Sequence, residues 1–386
     1  MSRYSLSIFM GLALLSLMTS LHAVRAEEIS TDIKATMKKN FDALMNLQPY
    51  VADPKAFSDP KNRDDIQKNL DSMSGLQHVF PQKMADQEPG LAAISGLFSD
   101  YLQDVQKSFK SGASGSFVRN QVRTMTGFCL SCHTRVGTNQ SFADLQNKVD
   151  SSPLTEFQKA EFYAATRQFD KAIQAFDKFI SRTPSGEFGY IELGRAVRET
   201  LSITIRVKQD AKATFYILEK LSSRKDLPEF FQRYVAEWKK DVTKWTQEKK
   251  RPKDMTATEL MAKASSLIDQ AGKRQLFAVD PAGDVSYLRA TNYIHEALQK
   301  DPKGKFRGEA LYLLGTCYDS LQDPLLWALD SLYFEACVRE FPHTDVSKKC
   351  YRRYASKLYF GYTGSGGTFI PEDELKKLSE LRKLSQ

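Results

Sequence analysis

The sequence predicts an all-α protein with a four-helix bundle at its N-terminal end and a helical-repeat region after it. Three observations support this prediction. Apolar residues recur at helical spacing through most of the chain, and turn signals separate the helical segments. Small and aromatic residues also recur in a fixed order after residue 154. The chain has 386 residues, of which 41% are hydrophobic, so it can form two or three domains with separate cores.

Residues 1–26 have the pattern of a signal peptide. Arg3 precedes an apolar stretch from Ile8 to Leu21, and small residues lead up to Ala26. This stretch is shorter than the roughly 20 apolar residues that a membrane span requires. We therefore expect cleavage near Ala26, export to the periplasm and no stable membrane insertion. Loss of Arg3 and Arg25 would lower the formal charge from +8 to +6, a balance too mild to indicate nucleic-acid binding.

Four amphipathic helices are predicted within residues 27–138. They run from about Asp32 to Leu47, from about Asp64 to Phe80, onward from Pro89-Gly90, and from about Ser116 to Arg135. Connections of moderate length between such helices are typical of a bundle. In the first helix, Met37 shares an apolar face with Ile33, Phe41 and Leu44. Met37 is therefore expected to point into the bundle.

Two polar or charged segments divide the rest of the chain. Residues 139–153 are polar and predict a linker. Residues 248–253 form a charged run with a proline, which predicts a solvated connection or, as the alternative, a docking patch. The repeat region is thereby predicted in two parts, 154–246 and 247–386.

Small and aromatic residues recur in the order of a known repeat. The first set is Ala160, Tyr163, Ala172, Phe176, Pro184 and Leu193-Gly194, and the second is Ala290, Ile294, Ala297, Pro302, Leu314-Gly315, Tyr318, Tyr333, Ala336 and Pro342. These positions resemble the tetratricopeptide repeat, although Phe179 stands where that family has a small residue. The resemblance implies stacked helix pairs with a concave surface that binds a protein partner. An ordinary all-α domain is the alternative.

The segment Cys129-Leu130-Ser131-Cys132-His133 carries the chemistry. Residues at i, i+3 and i+4 share one face of a helix, so the two thiols and the imidazole point the same way. Such thiols can form thioethers with the two vinyl groups of a haem while the imidazole reaches the iron. The segment predicts one covalent haem c, bound by Cys129 and Cys132, with His133 as the proximal iron ligand. The alternatives are a redox-active thiol pair and a zinc site.

Residues around this segment resemble those of one cytochrome family. Met37-Lys38-Lys39-Asn40 lies in the first predicted helix, Phe80-Pro81 ends the second, and the attachment motif is near the end of the fourth. Over residues 29–136 the chain thus resembles cytochrome c-prime and its low-spin relatives. The resemblance implies a four-helix bundle with the first helix facing the far side of the haem. Arg135 follows His133 by two positions, closer than the basic residue of that family usually does.

The ligand opposite His133 separates the candidate functions, because the axial ligands set both the redox potential and the access of small molecules. Met37 is the candidate sixth ligand, with core packing as the alternative, and His78 is its rival. With Met37 bound, the protein is expected to be an electron carrier rather than an enzyme, with a redox partner protein docked on the repeats. A gas- or redox-sensing protein with an open iron position, and an envelope scaffold with a structural haem, are the alternatives.

Two features near the C-terminus remain. Of the three cysteines outside the motif, Cys337 and Cys350 lie near facing ends of consecutive predicted helices, so a disulfide is geometrically possible. Cys317 is expected to be a small buried residue. Residues 361–367 are rich in glycine but lack the ending of a phosphate-binding loop. They predict a helix stop and a tight turn.

Overall fold

The computed structural model describes residues 33–73, 89–134, 142, 145–152, 154–184, 189–278, 280–321 and 329–386. The predicted signal peptide, His78, the Phe80-Pro81 pair and Arg135 lie outside these residues. The described residues are mostly helical, which confirms the prediction of an all-α protein. None of the described helices is both long enough and apolar enough to cross a lipid bilayer.

The chain divides into two compact units. The first comprises Met1–Asp86 and Ser95–Arg123, and the second comprises Gln87–Ile94 and Thr124–Gln386. Five helices belong wholly or in part to the first unit: α1 (33–52), α2 (Pro54–Ser58), α3 (Arg63–Ser72), α4 (Pro89–Lys110) and α5 (Gly115–His133). The last two helices continue into the second unit. The domain limits expected from the sequence remain predictions.

The first unit has a core of aliphatic side chains from α1, α3, α4 and α5. The fully buried ones include Leu47, Val51, Ile66, Leu70, Val105 and Val122. Side-chain hydrogen bonds connect these helices. The Gln106 amide donates to the carbonyl of Leu70 at 2.7 Å, and the Tyr101 hydroxyl donates to the carbonyl of Gln121 at 3.0 Å. Polar groups that bridge helices in this way satisfy hydrogen bonds that burial would otherwise leave unpaired.

The second unit contains twelve further helices among its described residues and a short hairpin. The helices are α6 (Gln146–Asp150), α7 (Glu156–Ala165), α8 (Phe169–Arg182), α9 (Gly189–Ser202), α10 (Ala211–Ser222), α11 (Glu229–Thr246), α12 (Ala257–Gly272), α13 (Asp284–Lys300), α14 (Arg307–Leu321), α15 (Leu329–Glu340), α16 (Asp345–Gly361) and α17 (Glu372–Ser385). A π-helical turn, Ile203–Val207, follows α9 directly. Consecutive helices are the main packing partners, notably α7 with α8, α12 with α13, and α14 with α15.

Helices α7 and α8 show how the sequence forms these pairs. Thr155 caps α7, and its side chain and that of Gln158 form a capping box, which satisfies backbone groups at the helix start. Ala160 and Ala172 are fully buried, and small side chains there let the two helices approach closely. Phe157 then packs its ring 6.0 Å from that of Phe176. The small and aromatic positions singled out in the sequence are thus core positions of this pair.

The C-terminal features take the form expected from the sequence. Cys337 and Cys350 form a disulfide between α15 and α16, with their Cα atoms 6.2 Å apart. Cys317 is fully buried. Helix α16 stops at Gly361, and β1 (Thr363–Gly364) pairs antiparallel with β2 (Gly367–Thr368). Gly367 has a φ of +105°, a backbone conformation that favours glycine.

Candidate functional site

The end of α5 brings together the three residues of the predicted attachment motif. Helix α5 continues through His133, and the amide of Thr134 still donates to the carbonyl of Leu130 at 2.9 Å. Cys129, Cys132 and His133 therefore lie on one helical face, as their spacing requires. The side chain of Cys129 is partly exposed, whereas Cys132 is 8% exposed and His133 is 6% exposed.

His133 is held by residues outside its own helix. Its Nδ1 lies 2.5 Å from the carbonyl oxygen of Ala165, the last residue of α7. The ring of Phe142 is stacked on the imidazole, with 6.3 Å between ring centroids and 20° between planes. The backbone amide of Phe142 in turn donates to the carbonyl of Thr166 at 3.0 Å. The end of α7 thus positions both the imidazole and the aromatic ring against it.

The surroundings of His133 favour a neutral imidazole with a defined tautomer. Burial, and then the positive charge of Arg167, lower the pKa of His133 to about 3, against the opposing effect of the hydrogen bond with Ala165. Because a carbonyl oxygen can only accept, the hydrogen bond requires the proton on Nδ1. Nε2 then keeps its lone pair. A histidine that donates from one ring nitrogen and keeps the other unprotonated is the usual form of a metal ligand.

Arg167 lies in the turn between α7 and α8. Its φ is +58°, a left-handed conformation that is uncommon for a residue other than glycine and that clusters at functional sites. Burial lowers the pKa of Arg167, and the charge of Cys132 opposes that change. A half-buried cation therefore lies close to both Cys132 and His133.

The thiol of Cys129 is held in its protonated form. Burial, and after it the neighbouring Cys132 and Glu161, raise the pKa of Cys129 to about 12. The thiol of Cys129 lies 3.8 Å from the carbonyl oxygen of Met125, to which it donates. Cys129 therefore lacks the depressed pKa that the reactive thiol of a redox-active pair has.

A buried cluster of charges lies beside the motif on α7 and α9. Glu161 is 5% exposed and forms an ion pair with Arg195. Arg195 also donates from Nε to Glu199 at 3.0 Å, and its guanidinium lies 5.3 Å from the centre of the Phe157 ring. The carboxyl groups of two buried glutamates thus share one guanidinium. Burial, and then the charge of Glu199, hold the pKa of Glu161 well above its ordinary value of 4.5.

This cluster predicts a specific pH dependence of stability. The folded protein retains the Glu161 proton at pH values where the unfolded chain has lost it. The contribution of this group is therefore fully present below pH 4.5 and is lost as the pH rises through the raised pKa of the folded state. Glu161→Gln has no proton to lose, so we expect the decline of the unfolding free energy with pH to be smaller in this variant. Urea denaturation from pH 4.5 upward measures this.

Glu309→Gln is the matched control, because Glu309 is a glutamate exposed to solvent on α14. Its pH profile is expected to run parallel to that of the wild type. Parallel profiles for the wild type and Glu161→Gln would show that Glu161 keeps an ordinary pKa in the folded protein.

Other predicted residues are placed elsewhere. Met37 is half-buried on α1 in the first unit, whereas the motif belongs to the second, so its role as the sixth ligand stays a prediction. Sequence reasoning missed Ala165, Phe142 and Glu161. The contact of Ala165 with His133 joins residues 32 positions apart, and it uses a backbone carbonyl that leaves no signal in residue type.

Within the described ranges, no group of three or more histidine, cysteine, aspartate or glutamate side chains could hold a metal ion. No protein-family model, no curated protein and no solved structure matches this chain.

Proposed function

We propose that the protein is a periplasmic c-type cytochrome that transfers electrons through one covalent haem, while its helical repeats dock a protein partner. The observation that carries the proposal is the state of His133. Its neutral imidazole donates a hydrogen bond from Nδ1 to the carbonyl oxygen of Ala165 and keeps a lone pair on Nε2. The two thiols lie beside it on the same helical face, at the i and i+3 spacing. These are the donors that a covalently attached haem requires.

The residues present fit a haem in named roles. Cys129 and Cys132 would hold it by thioethers, and Nε2 of His133 would bind its iron. When bound, the haem supplies one-electron chemistry, and its axial ligands set the potential. The Ala165 carbonyl keeps the imidazole in one tautomer, Phe142 limits its rotation, and Arg167 is a cation suited to a haem carboxylate.

Further features support the wider proposal. The resemblance of residues 29–136 to cytochrome c-prime favours a four-helix bundle, in which Met37 would be the sixth ligand. The disulfide between Cys337 and Cys350 supports an oxidising compartment such as the periplasm. Side-by-side packing of consecutive helices in the second unit supports stacked repeats, which offer extended surfaces to a partner protein.

The experiment is an absorption spectrum of the exported, purified protein in its oxidised form, after reduction with dithionite, and after reduction under carbon monoxide. We expect a low-spin spectrum with a methionine-to-iron charge-transfer band, unaffected by carbon monoxide. The Met37→Ala variant should lose the band. Met45→Ala is the matched control, because Met45 is also half-buried on α1, and it should retain the band.

The other outcomes have distinct meanings. A high-spin spectrum that shifts with carbon monoxide would indicate an open iron position, and with it a gas- or redox-sensing protein. Equal loss of the band in Met37→Ala and Met45→Ala would assign the effect to α1 packing rather than to ligation. Absence of any covalent haem in the exported protein would overturn the proposal.

A further inference from the structure

A cavity of about 560 Å³ lies within the second unit, far along the chain from the attachment motif. The π-helical turn after α9 and the start of α10 form one side of it, through residues 208–212. The end of α11 and the segment 250–253 form another side, and α13 closes it with Arg289 and Tyr293. A volume of this size is in the range of sites that take small molecules, roughly 300 to 1,000 Å³.

The lining of the cavity is strongly basic. Six lysine or arginine residues and two acidic residues line it, for a net formal charge of +4. The basic residues are Lys208, Lys212, Lys250, Arg251, Lys253 and Arg289. They come from three separate stretches of sequence, so the positive charge of the cavity arises only when the helices pack. A concave site lined by one sign of charge raises the local concentration of ions of the opposite sign.

Neither acidic residue neutralises the basic ones that face solvent. The carboxylate of Asp210 accepts hydrogen bonds from the backbone amides of Lys212 and Ala213, both at 2.9 Å, and so caps α10. The carboxylate of Glu248 accepts from Arg289 at 2.6 Å and from Lys263 at 2.8 Å. Asp210 thus caps a helix and Glu248 pairs with Arg289 and Lys263, so neither carboxylate pairs with Lys212 or Lys253.

Several cations are available to a ligand. Lys212 and Lys253 are exposed and form no ion pair with any described residue. Lys250 is paired at 2.6 Å with Glu259, which is 44% exposed. Surface ion pairs of this kind stabilise a protein only weakly, so an anion in the cavity can compete with them. Lys208 is paired with Asp170 at 2.6 Å and Arg251 with Asp254 at 3.1 Å. The accessible positive charge therefore rests mainly on Lys212 and Lys253.

Arg289 adds a buried donor to this surface. It is 4% exposed, and its guanidinium lies 4.8 Å from the centre of the Trp245 ring. Its Nε has no hydrogen-bond partner among the described residues. A buried charged donor without a partner is costly in a protein, and here it belongs to a residue that lines the cavity. Trp245, Ile205 and Pro252 add apolar surface to the lining of the cavity.

We propose that this cavity binds a small organic anion that carries two or more negative charges on phosphate or carboxylate groups. Lys212 and Lys253 contact the charged groups, and the wall around Trp245 covers the apolar part of the ligand. Lysine side chains provide charge-assisted hydrogen bonds to either kind of group. This site is independent of the haem, because none of its residues belongs to the attachment motif or its surroundings.

The test measures ligand binding to the full exported chain by titration calorimetry and by tryptophan fluorescence. Adenosine diphosphate probes phosphate, citrate probes carboxylate, and adenosine serves as the uncharged match to the first. We expect at least one of the two anions to bind and adenosine not to bind. The double variant Lys212→Gln, Lys253→Gln should weaken binding about tenfold or more, since two charge-assisted hydrogen bonds are lost.

The matched control is the double variant Lys376→Gln, Lys383→Gln, which removes the same charge from exposed positions on α17 and should bind as the wild type does. If both double variants bound the anion equally weakly, the loss of affinity would reflect overall charge alone, and the proposal would be overturned. So would a lack of binding of both anions to the wild type. If only a hexaglutamate peptide bound, and did so through Lys212 and Lys253, the cavity would instead be a contact site for an acidic protein segment.

Discussion

The double variant Cys129→Ser, Cys132→Ser is expected to contain no covalently bound haem. Thioether formation consumes both thiols, and serine hydroxyls do not add to the vinyl groups of haem. The measurement is mass spectrometry of the denatured protein exported under conditions that load the wild type, combined with a haem stain after denaturing electrophoresis. Wild-type protein should carry the mass of one haem through denaturation, and the double variant should not.

Cys317→Ala is the matched control for the loss of a thiol. Cys317 is buried on α14 and lies far from the motif in the sequence. Its replacement by alanine should leave the haem attached. Each single variant, Cys129→Ser or Cys132→Ser, should keep at most one thioether. A double variant that still carries a full complement of covalent haem would contradict the assignment of these two cysteines.

Gly315→Ala is expected to destabilise the protein by about 1 to 3 kcal/mol, because it would overpack a filled core. An added Cβ at residue 315 would lie 2.5 Å from Cε1 of Phe334, closer than real Cβ contacts. The Phe334 ring cannot easily move away, because it is fully buried and packs between Tyr312 and the guanidinium of Arg353. Urea denaturation followed by circular dichroism measures the change in unfolding free energy.

Gly194→Ala provides the matched comparison, since Gly194 occupies the corresponding repeat position in the first predicted set. Its added Cβ would lie 3.4 Å from the Phe231 ring, an ordinary contact. Replacement of glycine by alanine inside a helix gains up to about 1 kcal/mol, so this variant should be neutral or more stable. Equal effects of the two substitutions would show that the Phe334 ring has room to shift.

These two glycines show the limit of the sequence pattern. The repeat spacing placed Leu193-Gly194 and Leu314-Gly315 at equivalent positions, and both glycines lie inside helices. The pattern did not distinguish them, because the distance to the facing ring depends on how the helix that carries that ring packs. A Cβ added to Gly194 would lie 3.4 Å from the Phe231 ring, whereas one added to Gly315 would lie 2.5 Å from the Phe334 ring.

The charged run 248–253 shows the same limit. Its composition predicted a solvated connection or, as the alternative, a docking patch. In the structure, part of the run lines a cavity together with residues 208–212, which are about forty positions earlier. A charge run by itself does not reveal which other charges it will face, because distant segments meet only through helix packing.

The sequence by itself determined the helical class of the protein and the placement of two cysteines and a histidine on one helical face. Both follow from local rules, since helical periodicity and the i, i+3, i+4 spacing act within a few residues. Only the tertiary structure decided that the Ala165 carbonyl faces His133 and that Glu161 shares Arg195 with Glu199. These contacts join residues on different helices, so they depend on how buried side chains pack the helices together, which no local spacing encodes.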